Sequence, residues 1–152
     1  MTHSKLLPVL NRFGEPVKVF RSDRGTLQIW ITDAIIVSRI EGYATLDFAS
    51  EIDRVYRQQF SSGREIVTIH DWSNMTDYDA AARKILQLLN RDVQQKQREL
   101  VIHLGKADTL VKKVVRTTAE TITRFRKLPI ELFSDDAGFE KRVRELQAKY
   151  NA

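Results

Sequence analysis

Apolar residues follow two different spacings along the chain, one typical of strands and the other typical of helices. Residues 27–31 alternate apolar with polar side chains, and the β-branched run at 34–40 follows a break at Asp33. This pattern predicts two strands joined by a tight turn. Residues 17–20 alternate as well, so this segment is a candidate to pair with the sheet in addition to the predicted strands.

Helical spacings and short apolar runs succeed each other over the rest of the chain. Apolar residues three and four positions apart predict four helices, at residues 48–60, 81–93, 107–125 and 139–150. Short apolar runs predict three strands, at residues 66–69, 100–104 and 129–133. Thr45 and either Ser134 or Asp135 are suited to cap the first and last helices, and residues 61–63 are suited to end the first one.

This order of elements defines the fold class. Helical connections between successive strands imply right-handed crossovers and parallel pairing. We therefore predict an α/β fold with a single mixed, mostly parallel sheet of about five strands and about four helices. Residues 17–152 form one domain after an arm at residues 1–16, because no linker, repeat or low-complexity segment divides the chain.

Composition narrows the class of protein further. The chain has 152 residues, of which 42% are hydrophobic and 30% charged, a balance typical of a folded soluble domain. The absence of cysteine excludes disulfides, thiolate metal sites and cysteine nucleophiles. No apolar run approaches the ~20 residues that span a bilayer, and the first residues lack the apolar region of a signal peptide. We expect a cytoplasmic protein without stable membrane insertion.

The sequence carries no motif of a common enzyme class. It has neither a glycine-rich phosphate loop nor the Gly-x-Ser-x-Gly turn of serine hydrolases. His70 and His103 lie at the ends of predicted strands, where parallel sheets hold ligands. A metal or acid–base site that includes Asp71 would need a further group that the spacing does not supply, so hydrogen bonding is the favoured role of both histidines. We predict no enzymatic activity, no cofactor and no metal.

One segment between a predicted strand and a predicted helix carries a more specific signal. It reads Asp71-Trp72-Ser73-Asn74-Met75-Thr76-Asp77. Together with the order of elements, it resembles the STAS or SpoIIAA-like family, small α/β modules that include the bacterial anti-sigma factor antagonists. That family has a loop Asp-Leu-Ser-x-Met-Asp-Ser-Ser, in which the first serine after the second aspartate is phosphorylated. Asp71, Ser73 and Met75 match this loop, whereas Thr76 replaces the second aspartate and Asp77 replaces the phosphorylated serine.

The altered positions leave two interpretations of Asp77. If the register of the resemblance holds, Asp77 places a fixed negative charge in the first turn of a helix at 77–94, where the helix dipole favours it and where it partly imitates a phosphate. Alternatively, Thr76 or Asp77 is only the N-cap of that helix. Trp72 likewise either anchors a partner or closes the core. We expect a partner-binding or switch loop, formed by Asp71, Trp72, Ser73, Thr76 and Asp77.

The positive charge of the chain is concentrated in one segment. The net charge is +5, and residues 106–127 contain seven basic and two acidic residues, so the rest of the chain is neutral. The helix at 107–125 is therefore expected to present a basic surface, at Lys112, Lys113, Arg116 and Arg124. An acidic protein fits this surface best, because the chain has no nucleic-acid recognition motif and its apolar stripe is needed by the sheet. A solvated helix face is the simpler alternative.

The resemblance implies a regulatory module that binds another protein and does not catalyse a reaction. The expected partner is a protein that is acidic at the contact surface; nucleic acid is not expected, and a homodimer stays open. The alternative function is a carrier that encloses a small apolar or lipid molecule, because the SpoIIAA-like group is similar in fold to lipid carriers of the Sec14 type. The two functions differ in whether a stoichiometric small molecule accompanies the protein.

Overall fold

The structure is a computed structural model that describes residues 6–106, 112–114, 116–117 and 130–150. Its strands are β1 (Lys18–Arg21), β2 (Gly25–Ile31), β3 (Ile35–Ala44), β4 (Ile66–Tyr78), β5 (Gln97–His103) and β6 (Ile130–Phe133). Its main helices are α1 (Pro8–Asn11), α2 (Leu46–Phe60), α3 (Ala80–Val93) and α4 (Asp136–Tyr150). Residues 112–114 and 116–117, between β5 and β6, are also helical. In this part of the chain, no helix has the length and apolar character needed to cross a membrane.

The described strands form one sheet in the order β1-β2-β3-β4-β5-β6. The first three strands pair antiparallel, and the pairs β3–β4, β4–β5 and β5–β6 are parallel. The predicted α/β class with a mixed, mostly parallel sheet is therefore confirmed. The sheet has six strands rather than about five, because β1 pairs with β2 and extends the antiparallel edge.

Helices cover both faces of the sheet, and each face has its own core. α2 and α3 pack on one face, which we call the α2/α3 face. α1 and α4 pack on the other, the α1/α4 face. Successive residues of β3 point to opposite faces, so Ile36 and Ile40 belong to the first core and Ile35 and Val37 to the second. A strand buried on both sides has to be apolar at almost every position, which explains the continuous apolar run there.

The helix ends occur where the sequence supplies suitable residues. The Thr45 hydroxyl accepts the Phe48 N–H at 3.1 Å at the start of α2. Gly63 has a φ of +81° shortly after that helix ends, a conformation that glycine adopts without strain. An Asp135 carboxyl oxygen accepts the Gly138 N–H at 2.6 Å at the start of α4. The predicted caps and the predicted helix end are therefore confirmed.

The largest difference from the predicted elements is the length of β4. The apolar pattern predicts only a short strand here, but β4 extends to Tyr78 and α3 begins at Ala80. The long neighbouring strand β3 supplies pairing partners as far as Ala44, which stands opposite Tyr78. Pairing with a neighbour can hold a polar segment in a strand that its own pattern does not indicate. The predicted loop at 71–77 and the predicted helix start at Asp77 are therefore wrong.

Candidate functional site

The predicted switch segment, residues 71–77, forms the outer end of β4. Asp71 stands opposite Arg39 of β3, and Asp77 stands opposite Tyr43. The register shifts at two places between these pairs. Such irregularities bend a strand and disturb the strict alternation of its side chains. The segment consequently begins with buried residues and ends with exposed ones.

Asp71 is a buried residue that holds the segment in place. It is 2% exposed, and one carboxyl oxygen accepts both the N–H and the hydroxyl of Ser73, at 3.2 and 2.7 Å. The other carboxyl oxygen lies 3.9 Å from Nε of Arg39, which is buried as well. Arg39 also donates to Gln28 and Glu41. Asp71 therefore fixes the backbone at Ser73 and balances a buried positive charge.

Trp72 closes the core beneath α2. It is 8% exposed and stacks on His70, with ring centroids 4.3 Å apart. His70 stacks in turn on Tyr56 of α2, at 5.8 Å. The Trp72 indole N–H donates to Ser38 Oγ at 3.2 Å, and Ser38 Oγ shares a hydrogen bond of 2.5 Å with His70 Nδ1. Of its two predicted roles, Trp72 thus has the position required for closing the core.

The aromatic stack contains two groups whose protonation is changed by burial. Burial lowers the pKa of His70 to about 3, because desolvation penalises the charged imidazolium. Burial also raises the pKa of Tyr56 above its ordinary value, an effect that the nearby Ser38 hydroxyl opposes. Both side chains are therefore uncharged at neutral pH, as core residues should be.

The outer end of β4 reaches the surface. Ser73 is half-buried, and Asn74, Thr76 and Asp77 are exposed. We call these four residues the switch edge. The structure thus brings together three of the five residues predicted for the switch loop, Ser73, Thr76 and Asp77, on one edge. Asp71 and Trp72 are buried, and Asp71 supports this edge from below through its hydrogen bonds to Ser73.

Neither Thr76 nor Asp77 caps a helix. Asp77 lies in β4, and its carboxyl oxygen accepts the N–H of the following residue at 2.7 Å. Asp79 occupies the position before α3, and its side chain accepts the Tyr43 hydroxyl at 2.5 Å and the Leu46 N–H at 2.8 Å. These two bonds, that of Tyr43 first, lower the pKa of Asp79. The predicted capping role and the predicted stabilisation of Asp77 by the helix dipole are wrong, because strand pairing continues past Asp77.

A groove of about 630 Å³ lies beside the switch edge, next to Ser73 of β4 and beyond the carboxyl ends of β5 and β6. Ser73 and Asn74 line it, together with the exposed charged residues Lys106, Asp135 and Asp136. Two half-buried leucines of the N-terminal segment add apolar surface. Crevices at the carboxyl ends of parallel strands are the usual binding sites of α/β folds. The groove therefore offers hydroxyl, amide and apolar groups, with charges of both signs.

His70 and His103 lie on opposite faces of the sheet and do not form a pair. His103 stacks on Phe139 of α4, with centroids 4.8 Å apart. Its Nε2 lies 2.8 Å from a carboxyl oxygen of Asp136, and the Gly105 N–H donates to its Nδ1 at 3.2 Å. Both histidines are thus hydrogen-bonded inside a core. Within the described ranges, no group of three or more histidine, aspartate or glutamate side chains is arranged to hold a metal ion.

The four residues of the predicted basic surface have different environments. Lys112 is 7% exposed and donates to the carbonyl oxygen of Ser73 at 2.8 Å. Lys113 is exposed, Arg116 is half-buried, and Arg124 lies outside the described residues. The expected exposure of Lys112 is wrong, because a lysine can bury its aliphatic stem when its ammonium group reaches a carbonyl oxygen. Lys113 is exposed, as a residue of the predicted basic surface has to be.

Lys112 connects the helical segment after β5 to β4, so its replacement is expected to destabilise the fold. Lys112→Met keeps an apolar stem but removes the donor to Ser73, and the expected loss is about 1.5 kcal/mol of unfolding free energy. Lys113→Met, at the exposed neighbouring position, is the matched control and should change it by less than about 0.5 kcal/mol. Urea unfolding measures both variants, and equal stabilities would show that this hydrogen bond contributes nothing.

Two residues of this region have no counterpart among the predicted site residues. Arg39 had a signal in the sequence, because the polar pair Ser38 and Arg39 interrupts an apolar run and marks a buried polar contact. Asn74 had none, since its position in the family loop is unspecified. Its place in the groove depends on the geometry of β4.

Several solved structures share the fold of this chain, and two of them are informative. One is an uncharacterised protein of the DUF3478 family with a SpoIIAA-like fold from Shewanella loihica PV-4. It is 12% identical, with a TM-score of 0.59, and the match covers 82% of this chain and 98% of that one. The other is the anti-sigma factor antagonist SpoIIAA in its unphosphorylated form, 13% identical with a TM-score of 0.54, covering 78% of this chain and 97% of that one.

These similarities define the class of fold. No model of a known protein family matches the sequence, and no curated protein matches it. The structural matches have low sequence identity and therefore concern the fold. The chain has a SpoIIAA-like fold, and the predicted resemblance to the STAS and SpoIIAA-like family is confirmed at this level.

Proposed function

We propose that the protein is a cytoplasmic, non-catalytic regulatory module that binds another protein through the switch edge. The observation that carries this proposal is that the end of β4 presents four polar residues, two of which, Ser73 and Asn74, line a groove at the edge of the sheet. The structural neighbour SpoIIAA is an anti-sigma factor antagonist by name. A protein that antagonises a factor of this kind acts by association, which supports a protein partner for this chain.

Within the switch edge, Asp77 supplies a permanent negative charge. We assign it the place of the phosphorylated serine of the family, so that partner affinity stays in one state without a kinase. The Ser73 hydroxyl donates to Asp71 at 2.7 Å, which fixes its direction. Thr76 is an exposed residue of the same edge, and we assign its hydroxyl a contact with the partner. Trp72 is not part of the proposed surface, because it is buried.

The proposed partner is acidic where it meets the exposed lysines of this chain. Lys106 lines the groove, and Lys113 is exposed on the helical segment that Lys112 connects to Ser73. Because Asp77 is negatively charged, we expect the partner to place a basic group opposite Asp77, beside its acidic surface. Complementary charges of this kind act mainly on the association rate. Association should therefore become slower as salt screens these charges.

Photo-crosslinking from single positions tests the proposed surface in cells. Benzoylphenylalanine at position 74 or 76 is expected to form a covalent adduct with one defined protein, because both side chains are exposed at the switch edge. The same probe at position 54, exposed on α2, is the control and should not capture that protein. Capture of the same protein with equal yield from all three positions, or no adduct from positions 74 and 76, would contradict binding at the switch edge.

A further inference from the structure

An apolar cavity lies on the α2/α3 face, between the two helices and the sheet. Its volume is about 130 Å³. Most of the described residues that line it are apolar, including Ile52, Leu86, Leu89 and Leu100. Exposed residues of α3 such as Gln87 also line it, so the cavity reaches solvent beside this helix. A small molecule could therefore enter without unfolding the core.

Three polar side chains in this cavity lack hydrogen-bond partners. They are the hydroxyls of Tyr56 and Thr68 and the carbonyl oxygen of Gln97. Ser38 lies near the Tyr56 hydroxyl, but its own hydroxyl is hydrogen-bonded to His70 and Trp72. Tyr56, Thr68 and Gln97 are 2%, 0% and 6% exposed. Among the described residues, only Arg116 and Gln147 have another buried side-chain atom in this condition. Because buried polar groups in folded proteins are nearly always hydrogen-bonded, three such groups in one cavity indicate that a bound molecule supplies their partners.

The size and charge of the cavity restrict this molecule. An apolar cavity of about 150 Å³ accommodates benzene, so a cavity of about 130 Å³ has room for one ring. Among the described lining residues, Arg83 is the permanently charged one, and it is exposed on α3. His70 is neutral, since burial lowers its pKa to about 3. A charged molecule inside the cavity would lose its hydration without a buried counter-charge, because Arg83 is exposed to solvent.

We propose that this cavity binds a small neutral molecule with one aromatic or alicyclic ring and one hydroxyl or N–H group. The Gln97 oxygen can only accept a hydrogen bond, whereas the hydroxyls of Tyr56 and Thr68 can donate or accept. A ligand hydroxyl or N–H supplies the donor that the Gln97 oxygen needs, and a ligand hydroxyl can also serve as a partner of Tyr56 or Thr68. This binding site is separate from the switch edge and does not depend on the proposed protein association.

Three probes of similar size, each with one ring, separate the requirement for a donor from the requirement for neutrality. p-Cresol is expected to raise the Tm of the full chain by about 3–5 °C when its free concentration is tenfold above its Kd. Toluene lacks the donor and should bind about three- to tenfold more weakly, because one net hydrogen bond is missing. Benzoate carries a charge and should not raise the Tm. Calorimetric titration supplies the Kd values.

Variants of the lining residues locate the bound molecule. Ala82 is buried in the wall of the cavity, so Ala82→Leu should fill it and abolish the p-cresol shift. Ala81→Leu, exposed on the same helix, is the matched control and should retain the shift. Thr68→Val removes one hydroxyl at constant shape and should weaken p-cresol about three- to tenfold without affecting toluene. If Ala82→Leu does not fold, Ala49→Val fills the cavity from α2.

Absence of a Tm shift with both p-cresol and toluene, up to their solubility limits, would overturn the proposal and leave water as the partner of the three polar groups. Equal affinities for p-cresol and toluene would overturn recognition by Tyr56, Thr68 and Gln97. A p-cresol shift that persists in Ala82→Leu would place the binding site elsewhere. The proposal is supported if the p-cresol shift is lost in Ala82→Leu and the preference for p-cresol over toluene is lost in Thr68→Val.

Discussion

Acidification from pH 7 to about pH 4.5 is expected to lower the free energy of unfolding by about 3 kcal/mol through His70 alone. In the fold, burial lowers the pKa of His70 to about 3, whereas an unfolded histidine titrates at about 6.5. Only the unfolded state therefore gains a proton in this range. The contribution of neutral His70 is complete above pH about 6.5 and decreases by about 1.4 kcal/mol for each unit as the pH falls toward the folded pKa.

Urea unfolding of the wild type and His70→Phe at several pH values measures this effect. The variant keeps a ring in the stack but cannot titrate. Its free energy of unfolding should therefore fall by about 3 kcal/mol less than that of the wild type over the same pH range. His70→Gln keeps a hydrogen-bonding side chain for Ser38 and serves as a second variant. Hydrogen bonds also lower the pKa of Asp79 and Asp92, but these carboxylates are present in all three proteins, so the difference between the proteins isolates His70. Identical pH dependence in all three proteins would contradict a neutral, buried His70.

Removal of the Asp71 carboxylate is expected to destabilise the fold by about 2–3 kcal/mol, because the buried Arg39 loses one carboxylate neighbour while it keeps Glu41. Asp71→Ala also leaves the N–H and hydroxyl of Ser73 without their acceptor. Asp77→Ala is the control from the same strand, and its effect should stay within about 0.5 kcal/mol since Asp77 is exposed.

A double-mutant cycle with Arg39→Met separates the charge effect from the loss of the Ser73 contacts. In the Arg39→Met background, Asp71→Ala should cost less than in the wild type, because no buried charge is left to balance. Denaturant unfolding of the two single variants and the double variant gives the coupling energy. Strict additivity of the two effects would show that the 3.9 Å approach of Asp71 and Arg39 does not stabilise the fold.

The elements that bury a regular apolar pattern could be predicted from the sequence. Both faces of β3 pack on a core, and its continuous run of apolar residues is the pattern of a strand that is buried on both faces. The helix caps were predictable too, because Thr45 and Asp135 bind N–H groups three positions ahead, which is a local interaction. Local chemistry and periodicity determine these features, and both are visible in a single sequence.

The environment of the switch segment could not be predicted in the same way. Residues 71–77 lack an alternating pattern, and they are held in a strand by pairing with β3, which is distant in the sequence. The burial of Asp71 and Lys112 likewise depends on partners supplied by other elements, Arg39 and the Ser73 carbonyl. The cavity arises from the spacing of α2 and α3 over the sheet. Such features follow from tertiary packing, which overrides local propensity.

Protein association at the switch edge is tested most directly with the partner captured from position 76. Its Kd is measured by titration against the purified wild type, Asp77→Asn and Glu65→Gln. Asp77→Asn removes the permanent charge with little change of shape, and it should change the Kd at least about threefold relative to the wild type. Glu65→Gln removes an exposed charge at the opposite end of β4 and should leave the Kd unchanged. Equal Kd values for the wild type, Asp77→Asn and Glu65→Gln would contradict recognition through Asp77, whereas a change confined to Asp77→Asn is the predicted result.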